Sequence, residues 1–229
     1  MDESLVRIVE NFLTDSQVDF IKSEVHSMRE HWKNFREYDR WKDMPSKEFQ
    51  KIQHVLGDPI YLVHVQDKGP TTHEIDRDLQ EKLRERFDWL YQLLFTEIKK
   101  QFGFDVEFDY DLTIPAFHVF GGKKIELGAW NFHTDMGILD YYPNINPAMV
   151  VSFACIIESP RDPAFLDIHI DDDLWKHKEQ VEYKKGCIHF WNGIIPHRIG
   201  KFSLDEGEHR ITFQGHFYVD PAGVARVYF

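Results

Sequence analysis

The chain has 229 residues, 42% of them hydrophobic and 15% aromatic, enough to bury a full core as one domain and to argue against disorder. Its formal charge of −12 and pI near 5.5 would repel a phosphate backbone, and no Lys/Arg-rich run interrupts the acidity, so nucleic acid is not an expected partner. No stretch approaches the roughly 18 apolar residues of a membrane span, and Met1-Asp2-Glu3-Ser4 lacks the basic start of a leader, so the reading is a soluble, cytoplasmic protein with no membrane partner. Cys155 and Cys187 each sit among apolar residues and read as buried reduced thiols, with a disulfide between them left open.

Thr14 and Gln17 have the spacing of a capping box, and Leu13 and Val18 that of a hydrophobic staple. Val18, Ile21, Val25, Met28 and Trp32 then recur on one helical face, which predicts a first amphipathic helix. Residues 34–70 mix charge, aromatics and turn formers such as Gly57-Asp58-Pro59, with Ile60 to Val65 as a candidate strand. A second box at Thr71 and Glu74 opens a long helix with Ile75, Leu79, Leu83, Phe87, Leu90, Leu94 and Ile98 as its stripe. Lys99, Lys100 and Gly103 close it.

Beyond Gly103 the periodicity changes. Short β-rich runs at 112–120, 129–135, 149–157, 165–170, 181–191, 193–200 and 209–219 are separated by turn signals, the pattern of a sandwich or barrel. Helices first and strands after predict an α+β chain, with a helical layer over 1–103 packed outside a β-barrel core over 104–229.

His133 and Asp135 alternate on a strand-like run, so both side chains aim at one point. A lone His-x-Asp carries a high false-positive risk, and His169-Ile170-Asp171 is a second instance. That one runs into the acidic turn Asp171-Asp172-Asp173 and reads as structural or substrate-facing. The first is followed at long range by His197, after the Asn192-Gly193 turn. Two histidines and one carboxylate suit non-haem iron(II), leaving positions open for a bidentate cosubstrate and dioxygen. Zinc with the same ligands is the competing metal. In His209 to Phe217, the residues Arg210, Thr212, Gln214 and His216 share one face, and Ile211, Phe213 and Phe217 the other. Such a strand lines a polar cavity with one face and packs on helices with the other. Arg210 then offers its planar fork to a carboxylate. Asn131, on the His133 face, and His118, in a strand bordering the cavity, are further candidates. Ser152 and His189 are weaker candidates of the same kind, with ordinary packing or hydrogen bonding as the expected role of most of these residues, and Trp130 and Trp191 read as core and are assigned no role.

His133, Asp135, His197 and Arg210, in this order, resemble the pattern of the iron(II)- and 2-oxoglutarate-dependent dioxygenases, specifically over 112–219. Thr212 is similar to that family's hydroxyl residue two after the arginine. Val9-Glu10-Asn11-Phe12-Leu13-Thr14 before a helix resembles the prolyl 4-hydroxylase-like branch. That branch usually has lysine where Arg210 stands, and a tyrosine before the turn filled here by Phe120-Gly121-Gly122. The resemblance implies a double-stranded β-helix, a jelly-roll or cupin-like barrel. It also implies Fe(II), O2 and 2-oxoglutarate, the last anchored by Arg210 and Thr212 and decarboxylated to succinate as a C–H bond is hydroxylated. Family halogenases replace the metal-binding aspartate with a small residue; Asp135 is present, so hydroxylation is expected.

Two alternatives stay open: an idle barrel that binds metal or carboxylate as a sensor or scaffold, and a zinc hydrolase, which would need a general base that no Glu beside the ligands supplies. Pocket specificity falls to loops such as 34–70 and 121–130. The expected substrate is a small molecule, with a peptidyl residue as the alternative, and oligomeric state stays open.

Overall fold

The structure, a computed structural model, describes residues 5–38, 52–65, 69–70, 75–122, 124–127, 131–169 and 178–229. Thr71, Glu74, Trp130 and the Asp171 to Asp173 turn lie outside them. The first helix, α1 (Asp15–Ser27), begins as its sequence predicts: Thr14 accepts from the Gln17 amide, and the Gln17 side chain accepts from the Thr14 amide. The reciprocal bonds satisfy two otherwise orphaned donors, and Leu13 and Val18 are both buried beside them.

The long helix, α2 (Arg77–Phe102), starts later than the Thr71 box implies. Asp76 caps it by accepting from the Leu79 amide, so Ile75 falls before the helix. Its C-terminus is as expected, because Gly103 takes a left-handed φ of 80° and returns its N–H to the Lys99 carbonyl. That conformation is strained for any residue with a Cβ.

The strands that frame the molecule are β1 (Val6–Val9), β2 (Gln53–Leu56), β3 (Ala116–Gly121), β4 (Val150–Glu158), β5 (Phe165–His169), β6 (Lys178–Glu182), β7 (Ile188–Asn192), β8 (His197–Ile199), β9 (His209–Val219) and β10 (Val224–Tyr228). Among the described residues the main sheet has nine strands and runs β1-β7-β4-β9-β3-β2 to an edge at Lys33–Asn34, with β10 beside β9 and Asp105–Phe108 beside β10. A second sheet runs β6-β5-β8. The first 103 residues therefore supply more than a helical layer, since β1 pairs with β7 and β2 with β3.

Alternation assigns the faces. In β4, Phe153, Cys155 and Ile157 join Ile211, Phe213 and Phe217 of β9 against Val18, Ile21 and Val25 of α1 and the buried stripe of α2. The opposite face places Ala154 and Ile156, with Phe120 and Trp191, against Leu166, Ile168 and Val181 of the smaller sheet and Tyr183 just past it. Burying a side chain of this size contributes about 1.5–3 kcal/mol, so both interfaces are strongly specified. Mostly sheet with few helices, the arrangement fits a jelly roll. The described strands form separate sheets and do not close into a barrel.

Several expected strands are corrected. Ile60–Val63 is a single helical turn followed by the short strand His64–Val65. The run 181–191 is broken at Gly186, whose φ is +73°. The run 193–200 is strand only at His197–Ile199, and the described part of 129–135 holds one isolated bridge, His133 to His197. Cys155 and Cys187 are buried free thiols. No described helix is long and apolar enough to cross a membrane.

Candidate metal centre

Three chain segments converge on one corner between the sheets. Past β7 the chain turns at Asn192-Gly193, and the Gly193 carbonyl accepts from the Asp135 amide at 2.8 Å. His133 and His197 exchange both backbone bonds, at 3.0 and 2.9 Å. The segment 133–135 is thus clamped at both ends without belonging to a long ladder. A Cβ at Gly193 would lie 3.2 Å from Ser152 Oγ and 3.4 Å from Asp135 Cβ, so glycine at this turn lets the backbone approach the acidic side chain closely.

His133, Asp135 and His197 offer ligand atoms that all lie within 4.8 Å of one another. His197 Nε2 is 3.0 Å from Asp135 Oδ2, and His133 Nε2 is 3.8 Å from Oδ1. Each imidazole is oriented from behind: His133 Nδ1 meets the Asn131 carbonyl at 3.3 Å and His197 Nδ1 the Ile195 carbonyl at 2.9 Å. An Nδ1–H donated to a backbone carbonyl leaves the Nε2 lone pair free for a metal. Ser152 Oγ donates to Asp135 Oδ2 at 2.5 Å and lies 3.0 Å from His216 Nδ1. The His197 side chain is 5% exposed and the His133 side chain 49%, so the cluster is open on the His133 side.

The electrostatics match a cation site. Burial alone would raise the Asp135 carboxyl, yet His197, His216 and His133 hold it well below the usual range. Burial opposes protonation of His197, but Asp135 raises its pKa. Burial lowers His133 and His216. Two imidazoles and an ionised carboxylate with fixed tautomers suit a borderline divalent metal such as Fe(II) or Zn(II).

On the same inner face of β9, Arg210 is 2% exposed. Its guanidinium lies 5.3 Å from the Tyr183 ring, 5.7 Å from Phe202 and 5.8 Å from Phe120, and buried Nη1 has no hydrogen-bond partner. No carboxylate among the described residues pairs with it. Burial lowers its pKa to about 10, which still leaves it charged at neutral pH. A sheltered cation without an anion costs several kcal/mol, which suits a ligand that brings a carboxylate.

The other expected residues divide. Thr212 is fully buried, with Oγ1 bonded to Gln214 Oε1 at 3.3 Å, and stands opposite His118 in the β9–β3 register. His118 meets the Tyr61 hydroxyl at 2.5 Å. Burial, Arg210 and His216 lower its pKa to about 3, so it is neutral. Asn131 is exposed and reaches the centre through its carbonyl. His169 is buried against Phe132, in the same sheet as the Asp167–Arg198 pair at 2.9 Å. His189 bonds to the Glu182 carbonyl, and Trp191 packs edge-on to His197 at 5.2 Å. Missing from the expected site are Tyr61, Tyr183 and His216. The contact between Ser152 and His216 follows from their being directly opposed in the β4–β9 register.

No family model and no curated protein matches the chain. Solved structures do. An oxidoreductase of the 2OG-Fe(II) oxygenase family from Burkholderia pseudomallei aligns over 99% of this chain and 90% of its own, with TM-score 0.52 and 11% identity. A Trichoplax adhaerens prolyl hydroxylase, in complex with a hypoxia inducible factor oxygen degradation domain peptide fragment, aligns over 95% and 84%, with TM-score 0.50 and 11% identity. A Pseudomonas putida prolyl-4-hydroxylase aligns over 94% and 93%, with TM-score 0.47 and 13% identity. The alignments at TM-scores of 0.52 and 0.50 show that the chain shares the fold of a 2OG-Fe(II) oxygenase family member and of a prolyl hydroxylase.

Proposed function

We propose that residues 1–229 form one Fe(II)- and 2-oxoglutarate-dependent dioxygenase domain, a double-stranded β-helix that hydroxylates an unactivated C–H bond and releases succinate and CO2. The observation that carries this reading is the pairing, between the sheets, of a His-Asp-His cluster with a buried arginine that has no carboxylate partner among the described residues. Iron and 2-oxoglutarate, when bound, would supply the activation of O2 and the oxidation of the substrate. His133, Asp135 and His197 hold the metal. Arg210 and Thr212 hold the distal carboxylate of the cosubstrate, with neutral His118 and Tyr61 beside them adding no charge. Ser152, backed by His216, orients Asp135 and occupies the Oδ2 lone pair that faces it. The half-exposed His133 marks the side from which the substrate approaches.

The leading substrate class is a small molecule. A peptidyl residue is the second reading, favoured by the peptide bound to the Trichoplax neighbour. The test is to load the protein anaerobically with Fe(II) and 2-oxoglutarate, admit O2, and screen small molecules and peptides for stoichiometric succinate. Absence of succinate from metal-loaded, folded protein across the screen would refute the reading.

Because Asp135 occupies the position a halide would need, the product formed in chloride buffer is expected to gain an oxygen atom and no chlorine, as read by mass spectrometry. A chlorinated product overturns this. Ser152→Ala is expected to weaken Fe(II) affinity about 10- to 100-fold, the usual effect of removing a hydrogen-bond partner behind a metal ligand. An unchanged affinity in anaerobic titration would assign Ser152 to packing alone.

A further inference from the structure

On the other side of the main sheet, His26 in the last turn of α1, Glu158 at the end of β4 and His209 at the start of β9 meet. We propose that these three side chains form a second divalent-cation site, of the zinc class, which ties α1 to the sheet and is independent of the first cluster. Each offers a ligand atom within 4.8 Å of the others. His26 Nε2 is 2.9 Å from Glu158 Oε2, and the His26 and His209 rings meet edge-on with centroids 4.9 Å apart.

A structural ion pair explains only part of this arrangement. Lys22 takes Glu158 Oε1 at 2.7 Å and His26 takes Oε2, which accounts for the acid. It does not account for His209, whose Nε2 is buried with no hydrogen-bond partner. The ring is held in that position. It bonds to the Gly207 backbone, Trp32 packs on it at 5.9 Å and on His26 at 5.6 Å, and Gly121 makes room for it. A Cβ at Gly121 would come within 2.3 Å of His209 Cδ2. Burial and the neighbouring His26 lower the His209 pKa, so its lone pair is available at neutral pH.

Two imidazole nitrogens and one carboxylate oxygen, with water in the fourth position, make a tetrahedral zinc site. On entry the cation takes the place of the His26 Nε2 proton that bonds to Oε2: that proton leaves to solvent, and the metal-bound ring carries its one proton on Nδ1, taken up from solvent where Nδ1 was bare. The Lys22 ammonium stays on Oε1, so Glu158 binds the metal through one oxygen. The partial exposure of His26 and Glu158, 30% and 15%, gives a hydrated ion access. His209 and Arg210 are successive residues on opposite faces of β9, so an ion here braces the strand that carries the buried guanidinium.

The experiment uses the full chain carrying His133→Ala and His197→Ala, which removes the first cluster, titrated with Zn(II) by calorimetry and with Co(II) by absorbance. About one zinc per chain is expected, with a tetrahedral Co(II) spectrum. Zinc at a hundredfold excess over Kd should raise Tm by about 5 °C or more. Adding His26→Ala and His209→Ala, or separately Glu158→Gln, should abolish binding and the Tm rise. Glu158→Gln keeps side-chain length and is the deciding variant if the histidine pair fails to fold. Folded protein that binds no zinc when only the first cluster is removed, or binding that survives both sets of changes, overturns the site.

Discussion

Alanine at His133 or at His197 is expected to abolish stoichiometric Fe(II) binding, with the metal content of purified, anaerobically loaded protein falling from about one iron per chain to background. Each histidine is one of three protein donors, and its loss leaves one imidazole and one carboxylate, a pair that no longer spans the facial arrangement. The two variants differ in what else they change. His197 is buried, bonds to the Ile195 carbonyl, contacts Asp135 at 3.0 Å and packs on Trp191. Its loss should also cost about 1–3 kcal/mol of fold stability. His133 is half exposed, so His133→Ala should leave Tm nearly unchanged and is the cleaner test. Unchanged iron content in both folded variants would remove the metal centre and, with it, the proposed activity.

What the sequence made legible was local. The Thr14 box and the Leu13–Val18 staple need only residues a few positions apart, and α1 starts where they place it. Strict alternation in β9 sorted Arg210, Thr212 and His216 from Ile211, Phe213 and Phe217, and the burial of the apolar set under the helices follows that division. Long-range pairing was not legible. β1 and β2 are four-residue strands whose partners lie far along the chain, and nothing in their own residues names those partners.

The metal segment shows the same limit from another side. The run 129–135 reads as a strand, but its described part is held by one reciprocal bridge and the Asp135–Gly193 bond. Aim and ladder are separate properties, and the sequence gives a reader only the first. Ser152 and His216 enter the centre because the register opposes them, and His26, Glu158 and His209 meet only once α1 is docked. The Thr71 box competes with Asp76, whose carboxylate caps the Leu79 amide; spacing alone cannot rank two acceptors that each suit an N-terminus.

Arg210→Met is expected to raise the apparent constant for 2-oxoglutarate roughly tenfold to several hundredfold while leaving iron content intact. A charge-assisted, bidentate bond to a carboxylate contributes about 1.5–3 kcal/mol, and each 1.4 kcal/mol is about a decade in affinity. Losing it also leaves the ligand's carboxylate in an apolar surround of Phe120, Phe202 and Tyr183, which adds to the effect. Arg210→Lys keeps the charge without the fork and should be intermediate. Thr212→Val removes one neutral hydroxyl and should cost least. The ligand-free fold is expected to respond in the opposite sense. A buried guanidinium with an unpartnered Nη1 is a desolvation cost, and a methionine of similar length removes it while filling the space, so Tm of the ligand-free variant should equal or exceed that of the parent. Loss of cosubstrate affinity with retained or raised Tm separates an anchor from a structural arginine. If the methionine variant instead melted lower and bound 2-oxoglutarate normally, Arg210 would be structural. Arg198 would not replace it, because its Nε is committed to Asp167 at 2.9 Å, and Lys201 would be the next residue to test.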